Sequence, residues 1–190
     1  GTWSLMGVVT DQPIITPQTA TLNFTNEGGV GGTTRLLKNI TGLWIMEQCR
    51  AEWKKQGKDY NYTQLPQMAT SIDEQDASIP RPELFNPDDS RFAAPQSMLA
   101  QVTKNQPWTD EQVVWCIYHS LANRCAEVLR MLSTITPWPI GQLYIIGGGA
   151  GNTYLSQQIA NYCQIPVVKG STEATALGNL LLQAQTVNNK

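Results

Sequence analysis

The chain has 190 residues and a mass of 21.0 kDa, enough for one domain and too little for two comfortable ones. A domain of this size buries about 70% of the surface its unfolded chain exposes, so it needs neither disulfide nor metal to fold. Hydrophobic residues at 41% against 15% charged exclude a disordered chain, and scattered Lys/Arg with a net charge of −2 argue against nucleic acid. No apolar run approaches the roughly 18 residues of a membrane span, and Gly1-Thr2-Trp3-Ser4 carries no basic leader, so membranes are not expected as partners.

Read from the start, Trp3–Val9 is apolar and compact, as a strand would be. Pro13 and Pro17 break the chain before Thr19–Phe24, whose β-formers predict a second strand. Asn26–Gly32 holds four glycines in five positions and predicts a turn or a loop of close approach, and Thr33–Leu37 a third strand. A helix is expected from about Asn39 to near Gly57, with Ile40, Leu43, Trp44, Cys49 and Trp53 on its apolar face. Residues 64–74 suggest a short helix. The proline-rich stretch Ile79–Asp89 predicts irregular backbone. A brief helix near 95–104 comes next. Then Thr109 followed three residues later by Gln112 announces a long helix, with Val113, Val114, Ile117, Leu121, Val128, Leu129 and Leu132 as its stripe.

The last fifty residues alternate. Strand 142–146, the loop Gly147-Gly148-Gly149-Ala150-Gly151, helix 152–163, strand 165–168 and helix 172–187 follow with short links, which implies parallel pairing. The fold class is therefore α/β, with three strands first, a helical insertion, and then β alternating with α.

Four cysteines (Cys49, Cys116, Cys125, Cys163) form no C-x-x-C pair, and His119 is the single histidine, so no zinc site is expected. Cys116 and Cys125 stand nine residues apart on one helix, about 13–14 Å along its axis, which is too far for a disulfide. Reduced thiols in a cytoplasmic protein are the expectation. The N-x-T triplets at Asn23, Asn39 and Asn61 are about what chance supplies in a chain with twelve Asn.

Two glycine loops are the candidates for chemistry. A strand running into Gly147–Gly151 and then a helix puts backbone N–H groups where an anion or nucleotide can approach. Asn152 occupies the sixth position of the dinucleotide fingerprint, so that fingerprint fails, and no phosphate-loop motif occurs. For both loops, ligand approach and plain backbone geometry stay open. Thr2 and Ser4 offer hydroxyls near the first strand. Glu173 suits a helix start on dipole grounds, and Gly178 inside a helix suggests close packing or ligand approach. Asp73, Glu74, Asp76, Asp88 and Asp89 read as surface carboxylates. His119 falls off the apolar stripe and is not expected to be catalytic. No general base is visible.

Read together, the blocks Gly1–Gly7, Asn26–Gly29, Arg35–Trp44, Asn86–Phe92, Gly147–Asn152 and Glu173–Asn179 resemble the C-terminal domain of the FGGY family of carbohydrate kinases. The first and third point to the branch acting on L-rhamnulose. The resemblance covers essentially the whole chain and implies an actin-like, ribonuclease H-like fold, with residues 1–190 as the nucleotide-binding domain and the N-terminal sugar-binding domain absent. It also implies ATP/ADP with Mg²⁺ as ligands, and transfer of the γ-phosphoryl group to the 1-hydroxyl of L-rhamnulose. Thr2 matches a threonine that approaches the phosphates, and Asn39 an asparagine facing the active-site cleft as a substrate contact. Gly148, between Gly147 and Gly149, matches the position packed against adenosine, and Asn152 is placed in the same pocket. Glu47 stands where relatives can carry a nucleotide-contacting glutamine, with Gln48 beside it, and either it points away or its neighbour substitutes. The family's catalytic aspartate lies upstream of Gly1-Thr2-Trp3-Ser4, so these residues alone are expected to be inactive, with a sheet edge left unpaired. The rival readings are a non-catalytic actin-like module that binds a protein partner, and half of a kinase for another ketose.

Overall fold

The architecture, taken from a computed structural model that describes residues 3–74 and 97–188, follows from a few strong local signals. Strand β1 (Ser4–Thr10) and strand β3 (Thr34–Ile40) pair antiparallel from Ser4↔Ile40 to Thr10↔Thr34, and strand β2 (Thr25–Gly28) joins the other side of β3. β3 is thus the middle strand. Its alternation is clean: Thr34, Leu36, Lys38 and Ile40 are buried, whereas Arg35 and Asn39 face out. The inward Lys38 keeps its charge satisfied by donating from Nζ to the Leu22 carbonyl at 2.6 Å, with the Phe24 ring 5.6 Å away. Gly7 in β1 is obligatory, because a Cβ there would stand 1.8 Å from the Leu36 carbonyl oxygen.

Two expectations fail here for local reasons. Thr19–Thr21 is helical (α1, Pro17–Thr21), not extended. Pro17 sits in the first turn, and Thr16 and Thr19 form a reciprocal capping box, which outweighs β-propensity over so short a stretch. Asn39 and Ile40 end β3 and do not start a helix. Gly42, at φ +63°, turns the chain, and helix α2 begins only at Trp44 and runs to Lys55.

Helices α3 (Gln64–Thr70) and α4 (Met98–Thr103) flank the long α5 (Asp110–Ile135). The predicted capping box at Thr109 and Gln112 is present in both directions. Every residue of the predicted stripe of α5 is buried, and α5 is the spine against which α3, α6 and β1 pack. Residues 79–89, read as irregular, lie outside the described residues, as does Asp76. Strands β4 (Leu143–Ile145) and β5 (Val167–Lys169) pair in parallel, linked by helix α6 (Thr153–Cys163), and helix α7 (Ala174–Asn188) closes the chain. The strands form two sheets, ordered β1-β3-β2 and β4-β5. All four cysteines are reduced, and among the described residues no helix is long and apolar enough to cross a membrane.

Candidate functional site

A cleft of about 490 Å³ separates the two sheets. One wall is β1 and β3, through Trp3–Met6, Arg35, Leu37 and Ile40. The other is β4 with the glycine loop, from Leu143 to Gly149, and Leu121, Cys125, Leu155 and Ile159 form the apolar back. Ala174 and Thr175 at the start of α7 border the same space.

The loop is built by its first glycine. Gly147 has φ +80° and ψ −170°, a region that only glycine occupies without strain, and its N–H donates to the Ser171 carbonyl at 2.9 Å. A single 3-10 turn over Gly148–Gly151 then delivers the chain to α6, closed by Ala150 N–H to the Gly147 carbonyl at 2.9 Å and Asn152 N–H to the Gly149 carbonyl at 3.1 Å. A Cβ at Gly148 or Gly149 would meet no atom within 4 Å. These two glycines therefore leave open a surface that the fold itself does not require to be bare.

Asn152 caps α6, its Oδ1 accepting the Leu155 N–H at 2.9 Å. Its side chain also bonds Tyr118, whose phenol burial pushes up to about 12. The cation beside this helix start is Lys169, with Nζ donating to Thr153 Oγ1 at 3.1 Å.

The other sequence candidates separate. Thr2 lies outside the described residues. Asn39 is exposed opposite Leu5, on the same face of β3 as the cleft residues Arg35 and Leu37, but is not in the cleft lining. Glu47 is held by Arg50, whose Nη1 donates to both carboxylate oxygens at 3.2 and 3.0 Å while Nε donates to the Tyr60 carbonyl at 2.8 Å. The guanidinium stacks 4.3 Å from the Tyr62 ring, and the hydrogen bond to Glu47 pushes the Tyr62 phenol up. The carboxylate is neutralised in place.

The 26–32 loop resolves into the end of β2 and a 3-10 turn at Val30–Gly32. Gly31 and Gly32 lie at φ +66° and +81°, and no residue of the loop lines the cleft. Gly178 has no packing role, since a Cβ there meets nothing within 4 Å.

His119 differs most from its reading. It is in the core, stacked on Trp115 at 3.9 Å between ring centroids, with Nε2 2.9 Å from the Tyr154 hydroxyl and Nδ1 3.2 Å from the Tyr162 hydroxyl. Burial lowers its pKa to about 4, so at neutral pH one ring nitrogen donates and the other accepts. Its 3.6 Å approach to Glu74 is consequently not an ion pair at that pH. Sequence reasoning missed the apolar wall formed by Trp3, Leu5, Tyr144 and Ile146. No local pattern marks it, because it exists only where two strand edges face.

Comparisons with known proteins bear on the family and the fold. The profile of the FGGY family of carbohydrate kinases, C-terminal domain, matches residues 1–187. The chain belongs to that family. A rhamnulokinase from Bacteroides thetaiotaomicron is 49% identical over 98% of this chain and 38% of its own length. Rhamnulokinases from Pectobacterium carotovorum and Bacillus subtilis are 40% and 38% identical, over 95% and 96% of this chain and 36% and 37% of theirs. The chain thus spans little more than a third of the curated relatives it matches. Among solved structures, xylulose kinases from Bifidobacterium adolescentis and Rhodospirillum rubrum superpose with TM-scores of 0.58 and 0.59 at 16% and 14% identity, covering 89% and 91% of this chain and 32% and 34% of theirs. The fold is that of the actin-like sugar kinases.

Proposed function

We propose that these residues are the nucleotide-binding C-terminal domain of a kinase that, with a sugar-binding domain outside the 190 residues, converts L-rhamnulose to L-rhamnulose 1-phosphate. The observation that carries the reading is the glycine loop. Gly147 uses its φ to turn the chain, whereas Gly148 and Gly149 leave an unobstructed floor in the cleft. A planar adenosine can lie on such a floor, and a side chain there would obstruct it. The 38–49% identity to rhamnulokinases along nearly the whole chain supports rhamnulose as the sugar.

On this reading Gly147–Gly149 form the floor and Asn152 holds the loop against α6. Thr2 approaches the phosphates and Asn39 faces the sugar side. Mg²⁺ carried by the nucleotide would supply neutralisation of the phosphate charge. The apolar back of the cleft excludes water from adenosine. The family's base lies outside these residues, so the chain alone binds nucleotide without transferring phosphate.

A calorimetric titration with Mg-ADP tests the reading. Half of a cleft supplies part of the contacts, so saturation is expected in roughly the millimolar range. Gly148→Val should abolish it while leaving the melting temperature unchanged, because its side chain enters open space. Equal affinity in that variant would overturn the assignment of the loop.

A further inference from the structure

Asn152 closes the glycine loop, and both ends of its carboxamide are engaged. Its backbone N–H donates to the Gly149 carbonyl at 3.1 Å, and its Oδ1 accepts the Leu155 N–H at 2.9 Å. That leaves Nδ2 as the donor toward Tyr118 of α5, which is 2% exposed and has Asn152 as its hydrogen-bond partner among the described residues. Burial raises the Tyr118 phenol, and the Asn152 contact opposes the rise, as an N–H donated to the phenol oxygen does. The Tyr118 ring also packs on Tyr154 in the first turn of α6, 5.7 Å between centroids and tilted by 49°. Its neighbour His119 ties α5 to α6 separately, through the hydroxyls of Tyr154 and Tyr162.

The cap alone does not account for this arrangement. Ser, Thr and Asp cap a helix about as well as Asn, and none of them brings an amide N–H. The phenol engages the half of the side chain that the cap leaves unused. Turning the amide over would set Nδ2 against the Leu155 N–H and lose the cap bond. One Nδ2 proton remains once the phenol is served, and its direction is set by the other two contacts. Purine ring nitrogens and ribose oxygens are acceptors, so a fixed N–H is a group that such a ligand can use. Asn152 stays partly exposed, whereas Tyr118 is too deeply buried to meet a ligand itself.

We propose that Tyr118 is a positioning residue for the nucleotide. It holds the Asn152 carboxamide in one orientation, so that the remaining Nδ2–H meets the ligand on Gly148 and Gly149 as a donor of fixed direction. The proposal rests on the nucleotide reading of that loop and adds to it the residue that sets the geometry from behind. Tyr118 acts only through Asn152.

NMR on the 190-residue chain tests this, with the Asn152 side-chain amide identified by its absence in Asn152→Asp. Without nucleotide, one Nδ2 proton should exchange with solvent at least about 10-fold more slowly in the parent than in Tyr118→Phe. Titrated with Mg-ADP, Tyr118→Phe should bind about 5-fold more weakly than the parent, on the scale of one lost hydrogen bond. His119→Phe removes a different tie between α5 and α6, so its affinity should equal the parent's even where its melting temperature falls. Parent affinity in Tyr118→Phe, or an equal loss in His119→Phe, would overturn the proposal and leave the nucleotide reading intact. So would an Asn152 amide that exchanges equally fast in the parent and in Tyr118→Phe. A parent chain whose spectrum does not respond to Mg-ADP would instead overturn the nucleotide reading, and the role of Tyr118 with it.

Discussion

Asn152 accepts the Leu155 N–H at 2.9 Å, and this bond ties the end of the glycine loop to the first turn of α6. Asn152→Ala should destabilise the protein by about 1 kcal/mol, the usual cost of losing such a cap. Asn152→Asp preserves the cap and so separates structure from binding. Thermal denaturation should show it close to the parent, whereas titration should show weaker Mg-ADP binding, because a new negative charge borders the site. Undiminished affinity in Asn152→Asp would remove Asn152 from the nucleotide pocket.

Gly147 and Gly148 are adjacent in sequence and opposite in expected behaviour. Gly147→Ala forces a Cβ into φ +80°, ψ −170° and should cost about 1–3 kcal/mol in urea unfolding. Gly148→Ala should be neutral or slightly stabilising, since its Cβ meets open space and the unfolded chain loses freedom. Equal effects on stability would mean the loop relaxes to a conformation other than the one described.

His119 links α5 to Tyr154 and Tyr162 of α6 as a neutral ring. Its folded pKa, lowered to about 4, lies below the ordinary value near 6.5, so the unfolded chain takes up the proton first as pH falls. The stabilisation is complete above about 6.5 and is lost progressively down to about 4, by about 3 kcal/mol at most. His119→Phe should flatten that part of the stability–pH curve. It should also lower stability at neutral pH, because two tyrosine hydroxyls lose their partner. A parent curve already flat between pH 6.5 and 4 would show that the ring titrates at its ordinary value.

Much of the framework was legible. The capping box at Thr109 and Gln112 and the stripe from Val113 to Leu132 specify α5 through short-range geometry alone, and the structure reproduces both. The glycine run after Leu143–Ile146 was recognisable as a strand-to-helix loop for the same reason. The misreadings occurred where two local preferences competed. Thr19–Thr21 are β-formers, yet Pro17 and the Thr16–Thr19 box turn them into helix. His119 seemed off-stripe because α5 is covered on more than one side, so a stripe drawn for a surface helix underestimates its buried face.

The sequence by itself determined the order of elements from β3 onward, the length and buried stripe of α5, and the family, because caps, periodicity and contiguous motifs act over a few residues. Only the tertiary structure decided that Gly147 serves the backbone while Gly148 and Gly149 stay bare. It also decided that β1 and β4 present apolar edges across one cleft. Each of these depends on what stands opposite a residue, and pairings between residues distant in the chain leave no local signature.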